Sequence, residues 1–242
     1  MYPVTLNKVK VMYLGLLIIS FSAQPAFAAA QPPKRVNFAQ ERASQAVRHL
    51  ANWVVDSADN RNLPFMVVDK TEARVFVFRA DGRLRGAASA LLGSALGDDS
   101  VPGIGERKLS TILPEERTTP AGRFVAALGR NLHNTEILWV DYEAAISLHP
   151  VITSNPEERR AQRLATPSPL DNRISYGCIN VPVQFFKNVV SRSFKGTNGI
   201  VYVLPETRSA QQVFASHDVD GHTPLPPAGQ GLTRALPDVL GR

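Results

Sequence analysis

Val11 to Phe21 is an almost unbroken apolar run, preceded by Lys8 and Lys10 and followed by Pro25 and the small-residue site Ala26-Phe27-Ala28. That order predicts a secretory leader over 1–28, cleaved after Ala28. A membrane-spanning helix needs about 20 apolar residues, more than this run offers, so no stable span is expected after cleavage. No cysteine follows the run, which removes a lipidated N-terminus. Further on, Ala43, Ala46, Val47, Leu50, Trp53 and Val54 recur at helical spacing. They predict one amphipathic helix from about Asn37 to Ser57, N-capped by Asn37. It forms the body of an N-terminal segment over 29–63.

From Phe65 the pattern turns to β. Phe65–Asp69 and Arg74–Arg79 are apolar, β-branched and aromatic, and Asp81-Gly82 predicts a tight hairpin returning at Leu84. Gly93 to Glu116 is punctuated by glycine and proline and reads as loop. Its Gly103-x-Gly105 lacks the further glycine, lysine and strand–helix setting of a phosphate cradle. Strands follow at Arg123–Leu128, Glu136–Tyr142 and Ala144–His149, the last ended by Pro150. Residues 155–165 predict a short charged helix, with Pro156 in its first turn. A helix from Pro182 to Phe194 and a closing strand over Gly199–Pro205 complete a domain spanning 64–206. Prolines and glycines then dominate, and 207–242 reads as a flexible tail. The fold class expected is mostly β, a β-rich α+β arrangement.

Composition narrows the chemistry. The chain of 242 residues carries a formal net charge of +6, of which Lys8 and Lys10 belong to the leader. A moderate positive excess suits a polyanionic wall or membrane surface. No dense basic run with interleaved aromatics points to nucleic acid. His217, His222, Asp218 and Asp220 match no metal-ligand spacing, so neither a metal nor a cofactor is expected.

Cys178 is the chain's one cysteine, within Arg173-Ile174-Ser175-Tyr176-Gly177-Cys178-Ile179-Asn180. An unpaired thiol in an oxidising compartment is either buried and inert or used. As a nucleophile it must ionise, and a free thiol has a pKa of about 8.5. The helix expected near Pro182 offers free N–H groups and a favourable dipole, and the same N–H groups form an oxyanion hole. Gly177 permits close approach or an unusual backbone angle, and Asn180 braces the turn. The base is expected to be a histidine on a rigid element. His149 ends a strand and is the first candidate. His133 lies in a turn, His49 beside the helix stripe, and His217 and His222 in the tail.

Ser175-Tyr176-Gly177-Cys178-Ile179-Asn180 resembles the Ser-His-Gly-Cys-hydrophobic-Asn/Arg signature of the L,D-transpeptidase (YkuD-like) catalytic domain. The resemblance runs from about Phe65 to Pro205. It takes in the Asp81-Gly82 hairpin, Thr119-Pro120-Ala121-Gly122, the upstream histidine and the closing Val203-Leu204-Pro205. It implies a β-sandwich or barrel-like sheet with a helix after the nucleophile. It also implies transfer of an acyl group from a peptidoglycan stem peptide, with release of the terminal D-alanine. Carried over, Cys178 is the nucleophile and His149 the acid/base. Ser175, Tyr176, Gly177 and Asn180 shape the oxyanion loop, and Arg173 is a candidate for a substrate carboxylate.

Two features depart from the family. Tyr176 stands where a second histidine is usual, and Tyr, with a pKa of about 10, is no base at neutral pH. His149 is followed by Pro150, and the stretch to Ser175 is long, with Glu157, Glu158, Arg159, Arg160 and Arg163 expected on a lid or partner surface. Two other classes fit the same residues: a sortase-like transpeptidase using Arg192, and a non-enzymatic wall-binding domain with an inert thiol. The sequence leaves the acyl acceptor and the oligomeric state open.

Overall fold

The computed structural model describes residues 34–217 and 219. The expected leader, His222 and most of the expected tail lie outside the described residues. β1 (Phe65–Asp69), β2 (Arg74–Phe78) and β3 (Leu84–Ser89) form an antiparallel meander. The hairpin falls at Asp81-Gly82 as expected, with Gly82 at φ 83°, a conformation that favours glycine. β5 (Gly122–Arg130), β6 (Glu136–Asp141) and β7 (Ile146–Pro150) make a second antiparallel run. β10 (Gly199–Val203) joins the two runs, parallel to β1 and antiparallel to β5. β9 (Ile179–Val181) adds to the far side, parallel to β7.

The resulting eight-stranded order is β3-β2-β1-β10-β5-β6-β7-β9. Just after β3, Leu91 bridges Asn180 of β9 through N–H···O bonds of 2.8 and 2.9 Å, which draws the two sheet ends together. The sheet is therefore nearly closed and barrel-like. β4 (Leu92–Gly93) pairs with β8 (Arg173–Ser175) beside this seam.

Alternation along the strands sorts side chains onto two faces. Phe65, Val67, Phe76, Phe78, Ile200 and Tyr202 face one core, shared with Val47, Leu50, Trp53 and Val54 of helix α1 (Gln45–Ser57). Burying each such side chain contributes about 1.5–3 kcal/mol, so α1 packs as part of the same body. Met66, Val68, Val75, Leu138, Leu148 and Ile179 face the other core, closed by Phe186, Val190 and Phe194.

Several boundaries differ from the sequence expectation, among them the strand expected to end before Pro150, which runs Ile146–Pro150. Helix α1 begins eight residues later than Asn37, because Ser44 caps it by accepting the Val47 N–H at 3.2 Å. Asn37 instead bridges Arg83, and its side chain accepts the Ala39 N–H. The 93–116 stretch holds the end of β4 and three 3-10 turns, Ile104–Glu106, Leu109–Thr111 and Pro114–Glu116. Gly105 is a packing glycine: a Cβ there would lie 2.2 Å from the Glu143 carbonyl oxygen.

The helix after Cys178 does not follow it directly. The buried strand β9 intervenes, and helical structure starts at Val183, as α3 (Val183–Phe185), a π segment (Phe186–Val190) and α4 (Ser191–Phe194). The expected charged helix appears as the 3-10 turn Pro156–Glu158 and α2 (Arg160–Ala165). Order also continues past 206. Ser209 and Gln212 form a capping box that starts α5 (Ala210–Phe214), and Phe214 packs on Tyr202 with ring centroids 5.9 Å apart. Among the described residues no helix is long and apolar enough to cross a membrane.

Candidate active site

The register of two parallel strands assembles the site. β7 and β9 pair Leu148 with Ile179, His149 with Asn180 and Pro150 with Val181. One step back along both strands places Ser147 opposite Cys178. Because side chains alternate, Ser147 and His149 share a face. The Ser147 Oγ lies 3.7 Å from the Cys178 Sγ, and the thiol also lies 3.7 Å from the Ala145 carbonyl oxygen.

His149 is held by its own neighbour. Its Nδ1 sits 2.8 Å from the Pro150 carbonyl oxygen. A carbonyl only accepts, so Nδ1 carries the proton and Nε2 keeps the basic lone pair. Proline at 150 supplies that carbonyl as well as any residue would.

Burial pushes the Cys178 thiol pKa up, but it is outweighed. The His149 imidazole, the Ser147 backbone N–H and the Ser147 hydroxyl together bring it below the usual thiol value. The helix dipole invoked from the sequence is displaced by β9, so these neighbours take its place.

The loop around the thiol is tightly bonded. The Ser175 hydroxyl donates to the Cys178 carbonyl at 2.6 Å and accepts the Gly177 N–H at 3.0 Å. Asn180, fully buried, donates to the same Cys178 carbonyl at 3.2 Å. Its Oδ1 accepts from the Arg160 guanidinium at 2.8 Å, which ties α2 of the 150–174 insert to the loop. Gly177 adopts φ 127°, and a Cβ there would stand 2.6 Å from the Thr118 carbonyl oxygen. The position requires glycine on both counts. Its N–H is already engaged with Ser175, so the Gly177 N–H is not available to an oxyanion.

The thiol opens on a cavity of about 70 Å³, walled by Ile104, Arg107, Ile112, Thr118 and Tyr176. The first two 3-10 turns, Ile104–Glu106 and Leu109–Thr111, contribute to its wall. Tyr176 is half-buried, and the Arg117 guanidinium lies over its ring at 4.0 Å. A wider hollow of about 430 Å³ lies beside α1, with His49 and His217 on its wall, away from the thiol.

Of the other candidates, His133 sits exposed in the β5–β6 turn, its N–H bonded to the Asn131 side chain. Arg173 is not at the thiol. Its guanidinium pairs with Glu206 and donates to the Lys70 carbonyl at 2.9 Å, on the wall of a separate hollow with Leu96 and Leu170. A substrate carboxylate would have to displace Glu206. Arg192 lies on α4, outside the cavity wall. Among the described residues no cluster of three or more His, Cys, Asp or Glu side chains could hold a metal. Residues near the thiol that the sequence did not single out are Ser147, Arg107 and Arg117. Ser147 alone had a legible signal, two positions before His149 on a strand.

No protein-family model matches the sequence, and a search of curated proteins returned no match. Among solved structures the chain is similar to the helical cell shape determining protein Pgp2 from Campylobacter jejuni. The identity is 14%, over 65% of this chain and 51% of that one, with a TM-score of 0.41. It is similar to an L,D-transpeptidase from Mycobacterium tuberculosis at 14% identity, over 58% of this chain and 57% of that one, TM-score 0.36. The catalytic domain of the Enterococcus faecium L,D-transpeptidase aligns at 17% identity over 59% of this chain and 98% of its own length, TM-score 0.32. The chain thus spans about half the length of Pgp2. None of these likenesses fixes the chemistry at Cys178.

Proposed function

We propose that the protein is an exported cysteine acyltransferase that acts on peptidoglycan stem peptides, an L,D-transpeptidase whose catalytic domain occupies about 64–206. The observation that carries this reading is the β7–β9 register, which puts Ser147 and the tautomer-fixed His149 on the strand beside Cys178, with the thiol 3.7 Å from the Ser147 Oγ and opening on a cavity; a lowered thiol pKa agrees with it. An inert structural thiol needs none of these. The substrate class comes from the Ser175–Asn180 motif and its resemblance to the family signature.

In this reading the Nε2 of His149 takes the Cys178 proton. The thiolate adds to the carbonyl that follows the L-centre of the third stem residue. The carbon–nitrogen bond then breaks, and the leaving D-alanine takes the proton from His149. An amine attacks the thioester, His149 removes its proton, and the thiol is released. General acid–base help of this kind contributes about 10²–10⁴-fold. Ser175, Gly177 and Asn180 hold the turn, and the Cys178 N–H is the oxyanion donor, since that of Gly177 is engaged. Tyr176 walls the cavity and serves no base role.

The test is chromatography of muropeptides after incubation with the purified protein. D-alanine release and cross-linked product are expected from the wild type and lost in Cys178→Ala and His149→Ala. Activity unchanged from wild type in both variants would refute the assignment.

A further inference from the structure

Thr119 lies behind the thiol loop and is completely buried. Its hydroxyl donates to the Gly177 carbonyl at 2.8 Å and accepts the Gly93 N–H at 2.9 Å. Its own carbonyl accepts from the ammonium of Lys70 at 3.0 Å. Lys70 has no exposed side-chain surface and is held by Asp98 at 2.7 Å. Thr119 is thus fixed on two sides and aimed at one atom of the loop.

That atom has a partner. A peptide unit is planar, and when trans its C=O and N–H point in opposite directions. The described residues contain no cis peptide. The Gly177 carbonyl and the Cys178 N–H are therefore two ends of one rigid plane. Glycine rotates more freely than other residues, so at φ 127° the plane needs an outside contact to hold it. The remaining loop groups are committed: the Gly177 N–H and the Cys178 carbonyl both bond to Ser175.

We infer that Thr119 is a positioning residue for acyl transfer: by holding the Gly177 carbonyl it aims the Cys178 N–H at the oxyanion. The inference rests on the acyl-transfer reading above. As the sulfur–carbon bond forms, the carbonyl π pair moves onto oxygen, and the Cys178 N–H donates to it. The pair returns when the carbon–nitrogen bond breaks and the amine leaves with the proton from His149. Thr119 touches neither substrate nor sulfur and acts through the peptide plane.

The experiment compares two reactions at the same thiol. Acylation by a carbapenem forms an oxyanion, whereas alkylation by iodoacetamide forms none. Thr119→Val keeps the side-chain shape and removes the hydroxyl, and Thr119→Ser restores it. Deleting an oxyanion donor costs about 10²–10³-fold, so misdirecting one is expected to slow acylation by about tenfold or more. Alkylation and its pH midpoint should stay unchanged in Thr119→Val, and Thr119→Ser should recover acylation.

Wild-type acylation in Thr119→Val would overturn the inference, and so would an equal fall in both reactions. If Thr119→Val does not fold, the wild type decides. When a peptide aldehyde adds to Cys178, the Cys178 amide proton should move downfield in the NMR spectrum. An adduct that leaves it unmoved refutes the inference. A wild type that is alkylated but accepts neither acyl donor nor aldehyde instead refutes the acyl-transfer reading, and the inference falls with it.

Discussion

Ser147 and Cys178 face each other across two parallel strands, hydroxyl to thiol at 3.7 Å. The contact follows from the β7–β9 register, and with His149 two residues on it surrounds the sulfur with groups that favour the thiolate. A lowered thiol pKa means that the reactive form is populated at lower pH than in a free cysteine. Iodoacetamide alkylation of Cys178 is therefore expected to show a midpoint below that of a free cysteine measured alongside. Ser147→Ala should move the midpoint up and slow alkylation severalfold at neutral pH, leaving His149 and the backbone N–H as the remaining support. A midpoint at or above the free-thiol value would contradict this account of the site.

The Lys70–Asp98 pair gives a prediction about acid stability. Burial alone would raise the Asp98 carboxyl, but Lys70, the Thr207 hydroxyl and the N–H groups of Glu206 and Thr207 hold it far below the ordinary range. A carboxylate with a depressed folded pKa stabilises fully above its unfolded value, about 3.9 for Asp. That stability is lost as pH falls from there toward the folded value. Asp98→Asn removes one carboxylate from Lys70 but leaves it Glu206 at 3.4 Å, and should cost about 1–3 kcal/mol in urea unfolding at neutral pH. The variant should also lose less further stability than wild type on acidification below about pH 4. Parallel pH curves for the two proteins would contradict the assignment.

Arg160 reaches the Cys178 loop through Asn180, guanidinium to Oδ1 at 2.8 Å and then Nδ2 to the Cys178 carbonyl at 3.2 Å. Arg160→Met strands a buried amide oxygen, which costs about 1–3 kcal/mol. The expected signature is slower Cys178 acylation with little change in the donor concentration needed for half-saturation. A purely surface role for α2 would leave both unchanged.

Much of this architecture was legible before the structure. The apolar, β-branched runs of β1 and β2, the Asp81-Gly82 turn and the α1 stripe each follow from short-range patterns. Cys178 and His149 stood out through their chemistry. What stayed hidden was relational. The capping power of Ser44 over Asn37 depends on where α1 meets β1, since Ser44 also donates to Asp69 at 2.6 Å. The three residues of β9 were too few to read as a strand, and their pairing with β7 is nonlocal. Arg173 pairs with Glu206, 33 residues away, a partner that no local pattern gives. Thr119 stood in a motif whose fixed purpose appears only when the Gly177 carbonyl comes within its reach.

The central claim is that Cys178 carries an acyl group taken from a stem peptide. Intact-mass spectrometry after incubation with a stem tetrapeptide ending in D-alanine tests it most directly. The account predicts a protein mass raised by the tetrapeptide less its D-alanine, mapped to Cys178 by proteolysis and absent from Cys178→Ala. In His149→Ala the adduct should accumulate about 10²–10⁴-fold more slowly. Protein that stays unmodified by the tetrapeptide while iodoacetamide readily labels Cys178 would contradict it.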